Sequence, residues 1–228
     1  MKHAAISLVF ALCVLLCAGC ECPPAVETPK IIYPENFAKV TFLNVVYSGS
    51  SIDITTNYGL LIQELLFGYN STYTEVGSGT NVINIRRNSE TLYSVPISLR
   101  TDSLYTAVFS GNSSRDISVK IIEDGELSNF SGEPLLRLVN VDRYSSDVSV
   151  KCSAFDSLAF PTDMVTEFRS LGASQAEQIE LFKDGEQLYN FRFSVGADYA
   201  YTFVVSYSPT AKNKYGINIS LISIKYRG

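Results

Sequence analysis

Beyond residue 3 the chain contains no histidine, and it contains no tryptophan at all. The first absence removes several chemistries together: Ser-His-Asp and Cys-His hydrolysis, histidine zinc sites and histidine general bases. The second removes the best side chain for stacking on a sugar or a cation. Basic clusters are also missing. The longest basic run is Arg86-Arg87, and 18 Lys and Arg stand against 23 Asp and Glu, a net charge of −5. Nucleic acid, which is held by clustered cations that neutralise phosphates, is disfavoured as a partner. No apolar run reaches the roughly 20 residues that a helix needs to cross a bilayer core of about 30 Å.

What is present begins with a leader. Met1-Lys2-His3 is followed by an apolar stretch from Ala4 to Leu16 and then by Cys17-Ala18-Gly19-Cys20. A positive end, an apolar core too short to span a membrane and a small-residue cleavage site form the order of an export signal. A cysteine directly after two small residues resembles the bacterial lipobox, so residues 1–19 are expected to be removed and Cys20 to be lipidated. Several acyl chains on one cysteine are enough for stable anchoring where a single chain is marginal. Loss of Lys2 would change the balance from 18 against 23 to 17 against 23, a net charge of −6. Pro23, Pro24 and Pro29 then make residues 20–36 an extended stalk, because proline fixes φ and removes a donor. The expected location is the cell envelope at the outer membrane, with the periplasmic and surface faces both open.

Of the cysteines left after cleavage, Cys20 carries lipid, Cys22 lies on the stalk, and Cys152 continues the alternation Val148, Val150, Cys152 toward a core. Cys152 therefore reads as a buried free thiol rather than half of a disulfide. Two acid pairs, Asp142 with Asp147 and Glu123 with Asp124, are the candidates for carboxylate catalysis. Neighbouring acids in loops are ordinarily solvated surface, so no catalytic residue, metal or cofactor is expected.

The chain matches itself at a constant offset of 96 residues. Phe42-Leu43-Asn44-Val45 falls on Leu138-Val139-Asn140-Val141 (138 − 42 = 96), Ile52 and Ile54 fall on Val148 and Val150, and Tyr105-Thr106 falls on Tyr201-Thr202. Within each copy the apolar residues recur with period two between turn residues, the pattern of strands. Lys183-Asp184-Gly185-Glu186 and its counterpart Arg87-Asn88-Ser89-Glu90 mark a tight hairpin in each copy. About seven short strands in about 90 residues is the signature of a sandwich. Leu60 to Leu66 is the one helix-like stretch, expected to cross between sheets or form a short turn. The fold class is therefore all-β: two tandem immunoglobulin-like antiparallel β-sandwich domains, at 37–124 and 134–228. They are joined by a 125–133 linker whose nine residues permit some interdomain motion.

Ala38-Lys39-Val40-Thr41-Phe42-Leu43-Asn44 with Ser51-Ile52-Asp53-Ile54, then Phe67-Gly68, Tyr73-Thr74-Glu75-Val76 before Gly79-Thr80, and Leu104-Tyr105-Thr106-Ala107-Val108 with Gly111 form a recognisable set. From Phe37 to Asp124 it resembles the exported bacterial family called domain of unknown function 4397. The second copy keeps Tyr201-Thr202 but departs from the family pattern near Ser174-Gln175. The resemblance implies an immunoglobulin-like sandwich in an exported or surface protein and offers no catalytic residues.

Three functions compete at this point. The first is a non-catalytic lipoprotein that binds or scaffolds, held to membrane lipid through Cys20 and contacting a protein or glycan partner through loops at the sheet ends. Tyr47 and Tyr144 are its candidate contacts, because tyrosine supplies rigid amphipathic area. The second is a surface adhesin or glycan-binding protein, for which fourteen tyrosines count in favour and the missing tryptophan against. The third is an enzyme, for which no residue spacing speaks. Tyr93, Tyr105 and Tyr201 lie on predicted strands, where packing explains them.

Overall fold

Period-two alternation does in each repeat what it predicts, and one further burial pattern sets how the repeats meet. A computed structural model describes residues 34–47, 51–113, 115–125, 132–143 and 148–225. Cys20, Cys22, Tyr144, Asp147, the stalk up to residue 33 and most of the linker lie outside the described residues. The first repeat forms β1 (Phe37–Val46), β2 (Ile52–Thr56), β3 (Gly59–Leu65), β4 (Thr74–Gly77), β5 (Gly79–Arg87), β6 (Glu90–Leu99), β7 (Leu104–Ser113) and β8 (Asp116–Glu123). The second forms β9 (Leu135–Asn140), β10 (Val148–Cys152), β11 (Phe155–Phe160), β12 (Arg169–Ser170), β13 (Ala176–Lys183), β14 (Glu186–Ser194), β15 (Tyr199–Tyr207) and β16 (Ile217–Lys225). Among the described residues there is no helix long and apolar enough to cross a membrane.

Each repeat is a sandwich of two four-stranded sheets, β4-β1-β7-β8 over β3-β2-β5-β6 in the first and β12-β9-β15-β16 over β11-β10-β13-β14 in the second. Adding eight to every strand number of the first repeat gives the second, so the 96-residue offset is a structural repeat. Three sequence expectations are corrected. Each repeat has eight strands, not seven. Leu60 to Leu66 does not cross between sheets, because Gly59–Leu65 is an edge strand paired with β2 through two register shifts, which break the period-two pattern. The sheets are not wholly antiparallel: β1 pairs parallel with β7 and β9 with β15, since the chain visits the other sheet between them.

The repeated residues hold the same local structure. Asn88 and Ser89 have φ of 48° and 69°, and Asp184 and Gly185 have 52° and 78°, so both hairpins turn through two left-handed residues as their sequences predict. Buried Tyr105 accepts a hydrogen bond on Oη from the Arg100 backbone N–H at 3.0 Å, and Tyr201 accepts one from Gly196 at 2.9 Å. A tyrosine tied to backbone a few residues upstream is a device of immunoglobulin-like sandwiches. Asn44 clamps the two sheets together: Nδ2 donates to the Leu65 carbonyl at 2.9 Å and Oδ1 accepts from the Val46 N–H at 3.0 Å. Asn140 repeats this with Phe160 at 2.8 Å and Asp142 at 2.9 Å.

Phe42, Ile54, Ile83, Ile85 and Phe109 are buried between the sheets of the first sandwich, and Leu138, Val150, Ile179, Leu181 and Phe203 between those of the second. β1 and β9, however, are buried on both faces. Their second faces meet in a third apolar cluster built from equivalent residues: Leu43 with Val139, Val45 with Val141, Val108 with Val204, and Ile122 with Ile222. Such an interface, made of one patch used twice, has the self-complementary form of a two-fold dimer. Residues Tyr33–Gly228 accordingly form one compact unit. The expected interdomain freedom meets a buried interface whose fully buried aliphatic side chains are each worth about 1.5–3 kcal/mol.

Candidate functional site

One edge of this interface is polar. Arg137 stands where the first repeat has Thr41, and its side chain is only 2% exposed. Its Nη2 lies 2.6 Å from Asp124 Oδ1 and donates to Thr106 Oγ1 at 2.7 Å, while Nε donates to Thr202 Oγ1 at 2.9 Å. The guanidinium also sits 4.5 Å above the Phe168 ring. Asp124, 1% exposed, accepts from the Thr106 hydroxyl at 3.0 Å and from Tyr73 Oη at 2.6 Å. Burial first, then the Asp124 charge and the bond to it, push the Tyr73 phenol well above its ordinary range, against the opposing pull of Arg137. Tyr73, Thr106 and Asp124 come from one repeat and Arg137, Thr202 and Phe168 from the other. The network is therefore a latch that fixes one sandwich against its neighbour. A buried charge pair with its hydrogen bonds satisfied selects one arrangement, because any other leaves a charge buried without a partner.

This arrangement corrects the reading of Glu123 and Asp124 as solvated neighbours. Strand alternation sends them apart, with Glu123 exposed and paired to Arg100 and Asp124 turned into the interface. The two carboxylates do not converge on a common space. Asp142 is buried beside the Asn140 clamp, and Asp147 lies outside the described residues. Among the described residues no group of three or more Cys, Asp or Glu is placed to hold a metal ion.

Cys152 is a free thiol, half-buried against the second core. Burial pushes it up and Glu177 adds to this, while backbone donors at Ala154 and Phe155 and the charge of Arg169 pull the other way. A raised thiol is a poor nucleophile near neutral pH.

Tyr47 is half-buried at the end of β1. Its ring meets Phe67 edge-on, with centroids 6.2 Å apart and planes at 89°, and its N–H donates to Gly111 at 2.8 Å. Packing therefore holds one face of the ring. The adjacent turn, which sequence reasoning passed over, is more open: Leu66 is 54% exposed and Tyr69 64%. The Tyr69 N–H donates to the Leu66 carbonyl at 3.2 Å, with Gly68 at a φ of 81°. The second repeat makes the same turn with other residues. Met164 donates to the Pro161 carbonyl at 3.3 Å, with Asp163 at 64°, through the sequence Pro161-Thr162-Asp163-Met164. The fold thus requires the turn but not an exposed Leu66 and Tyr69. The signal that could have found them is Phe67-Gly68-Tyr69, a glycine turn between aromatics. At the opposite end of β1 a cleft of about 350 Å³ is lined by Glu35, Phe37, Lys39, Glu75 and Asp102 among others.

The model of the family described as Domain of unknown function (DUF4397) matches residues 38–151, from β1 into β10. The match runs past the end of the first repeat, at Asp124, and takes in the opening strands of the second. Among solved structures the chain is similar to a "putative cell adhesion protein" from Bacteroides eggerthii DSM 20697. The identity is 8%, the match covers 85% of this chain and 97% of that one, and the TM-score is 0.21. No curated protein sequence matches the chain.

Proposed function

The chain belongs to the DUF4397 family, and from that premise we propose that it is a non-catalytic binding or scaffolding lipoprotein of the bacterial cell envelope, anchored through Cys20. The contact surface is the turn Leu66-Phe67-Gly68-Tyr69 together with Tyr47. The observation that carries this reading is the contrast between the repeats: one turn geometry, with Leu66 and Tyr69 exposed in the first repeat, and with Thr162 and Asp163 at its centre and Met164 packed against the core in the second. Exposed aromatic and aliphatic side chains on a rigid frame lose little side-chain entropy when a partner covers them. The latch and the apolar interface supply that rigidity, since both sandwiches are held as one unit behind the turn.

A photo-crosslinking residue placed at Tyr69 and, separately, at its counterpart Met164 tests the reading in cells of the native host. Adducts from position 69 and few or none from position 164 are expected. Protease sensitivity of the adduct indicates a protein partner, and glycosidase sensitivity indicates the adhesin-like alternative. Equal adducts at both positions, or none at 69, would overturn the assignment of this turn.

A further inference from the structure

β6 and β14 are equivalent, and each is the last strand of its outer sheet. Pro96 lies opposite Val82 and Arg192 opposite Gln178, the same register 96 residues apart. Proline has no N–H, so at this position the ladder requires none, and the N–H of Arg192 points out of the sheet toward the open edge. In the first repeat Pro96 blocks that edge against another strand, whereas β14 contains no proline. β14 shifts register once, at Leu188 near its start, and then keeps unbroken register from Tyr189 to Ser194, while the opposite outer edges, β3 and β11, are interrupted within shorter runs of pairs. A stretch of edge without proline or bulge, as from Tyr189 to Ser194, is a template for strand pairing.

We infer that β14 is a dimer contact, at which two copies of this chain pair antiparallel about a two-fold axis through Phe191 and join their outer sheets into one of eight strands. A second copy is the occupant because the edge is complementary to itself. In this register Asn190 of one copy lies opposite Arg192 of the other, twice by symmetry, with their outward N–H and C=O groups exchanged. Arg192 is the only charged residue from Gln187 to Ser194, so no like charges face each other. On the inner face, half-buried Tyr189, Phe191 and Phe193 meet Phe193, Phe191 and Tyr189 of the second copy, extending the 5.9 Å stack of Phe191 on Phe193 across the axis. Aromatic cross-strand pairs of this kind are among the stabilising units of sheets. The pairing does not depend on the function proposed above.

Light scattering coupled to gel filtration, on the mature chain carrying Cys20→Ser, reads this directly. A dimer is expected at about 100 μM, the range in which weak pairings of this size are populated. Arg192→Pro installs the first repeat's own block, and Asn190→Lys sets a second cation opposite Arg192 without touching the backbone. Each is expected to weaken the dimer at least about tenfold. A monomeric native chain at that concentration overturns the inference, as does a dimer that neither substitution weakens. If Arg192→Pro fails to fold, Asn190→Lys decides alone.

Discussion

Arg137→Ala is expected to lower the unfolding free energy by about 3–5 kcal/mol. The substitution removes the cation but leaves Asp124 where it is, 1% exposed and, among the described residues, with the Thr106 and Tyr73 hydroxyls as its remaining side-chain donors. An uncompensated buried carboxylate must be tolerated, protonated or hydrated by opening the interface, and each route costs stability. The pair as a whole is worth much less than this. Replacing both charges by apolar groups, as in Arg137→Met with Asp124→Leu, is expected to recover most of the loss, because the desolvation cost disappears with the attraction. Urea unfolding followed by tyrosine fluorescence, the natural probe in a chain without tryptophan, measures both variants. A change of less than about 1 kcal/mol for Arg137→Ala would place the pair in the range of exposed surface pairs and contradict the latch.

Asn44→Ala and Asn140→Ala are expected to cost about 2–4 kcal/mol each. Each asparagine satisfies two buried backbone groups, the N–H two residues on and a carbonyl on the opposing sheet, and a buried group left without a partner costs about 1–3 kcal/mol. The repeat supplies the control, because the bond lengths at the two sites agree to within about 0.1 Å and the two losses should agree to within about 0.5 kcal/mol. A large loss at one site and none at the other, in the same urea titration, would show that the matching geometry does not carry matching energy.

The parts of the fold legible in the sequence are those set locally. Asn88-Ser89 and Asp184-Gly185 read as hairpins because Asn, Asp and Gly tolerate left-handed backbone, and Ile83 with Ile85 reads as a core-facing strand because Asn84 between them is polar. β3 was not legible, since an exposed edge strand with register shifts loses its alternation and Leu60 to Leu66 then imitates a helix. The interface was legible in principle: Val40-Thr41-Phe42-Leu43-Asn44-Val45-Val46 is nearly continuous in apolar or small polar residues, the pattern of a strand covered on both faces. What no local pattern contains is the pairing of Asp124 with Arg137, because a charge next to a linker reads as solvated until tertiary structure places its partner. Leu66 and Tyr69 were hidden for the opposite reason. Apolar residues read as core, and only their exposure, set beside the second repeat's turn in which Met164 packs against the core, marks them as a candidate contact.

The most direct test of an anchored binding lipoprotein is metabolic labelling with palmitate of the full-length chain and of Cys20→Ser, expressed side by side in a bacterium. Label on the first and none on the second is expected. Absence of label from the native chain, or equal label on both, would contradict anchoring through Cys20.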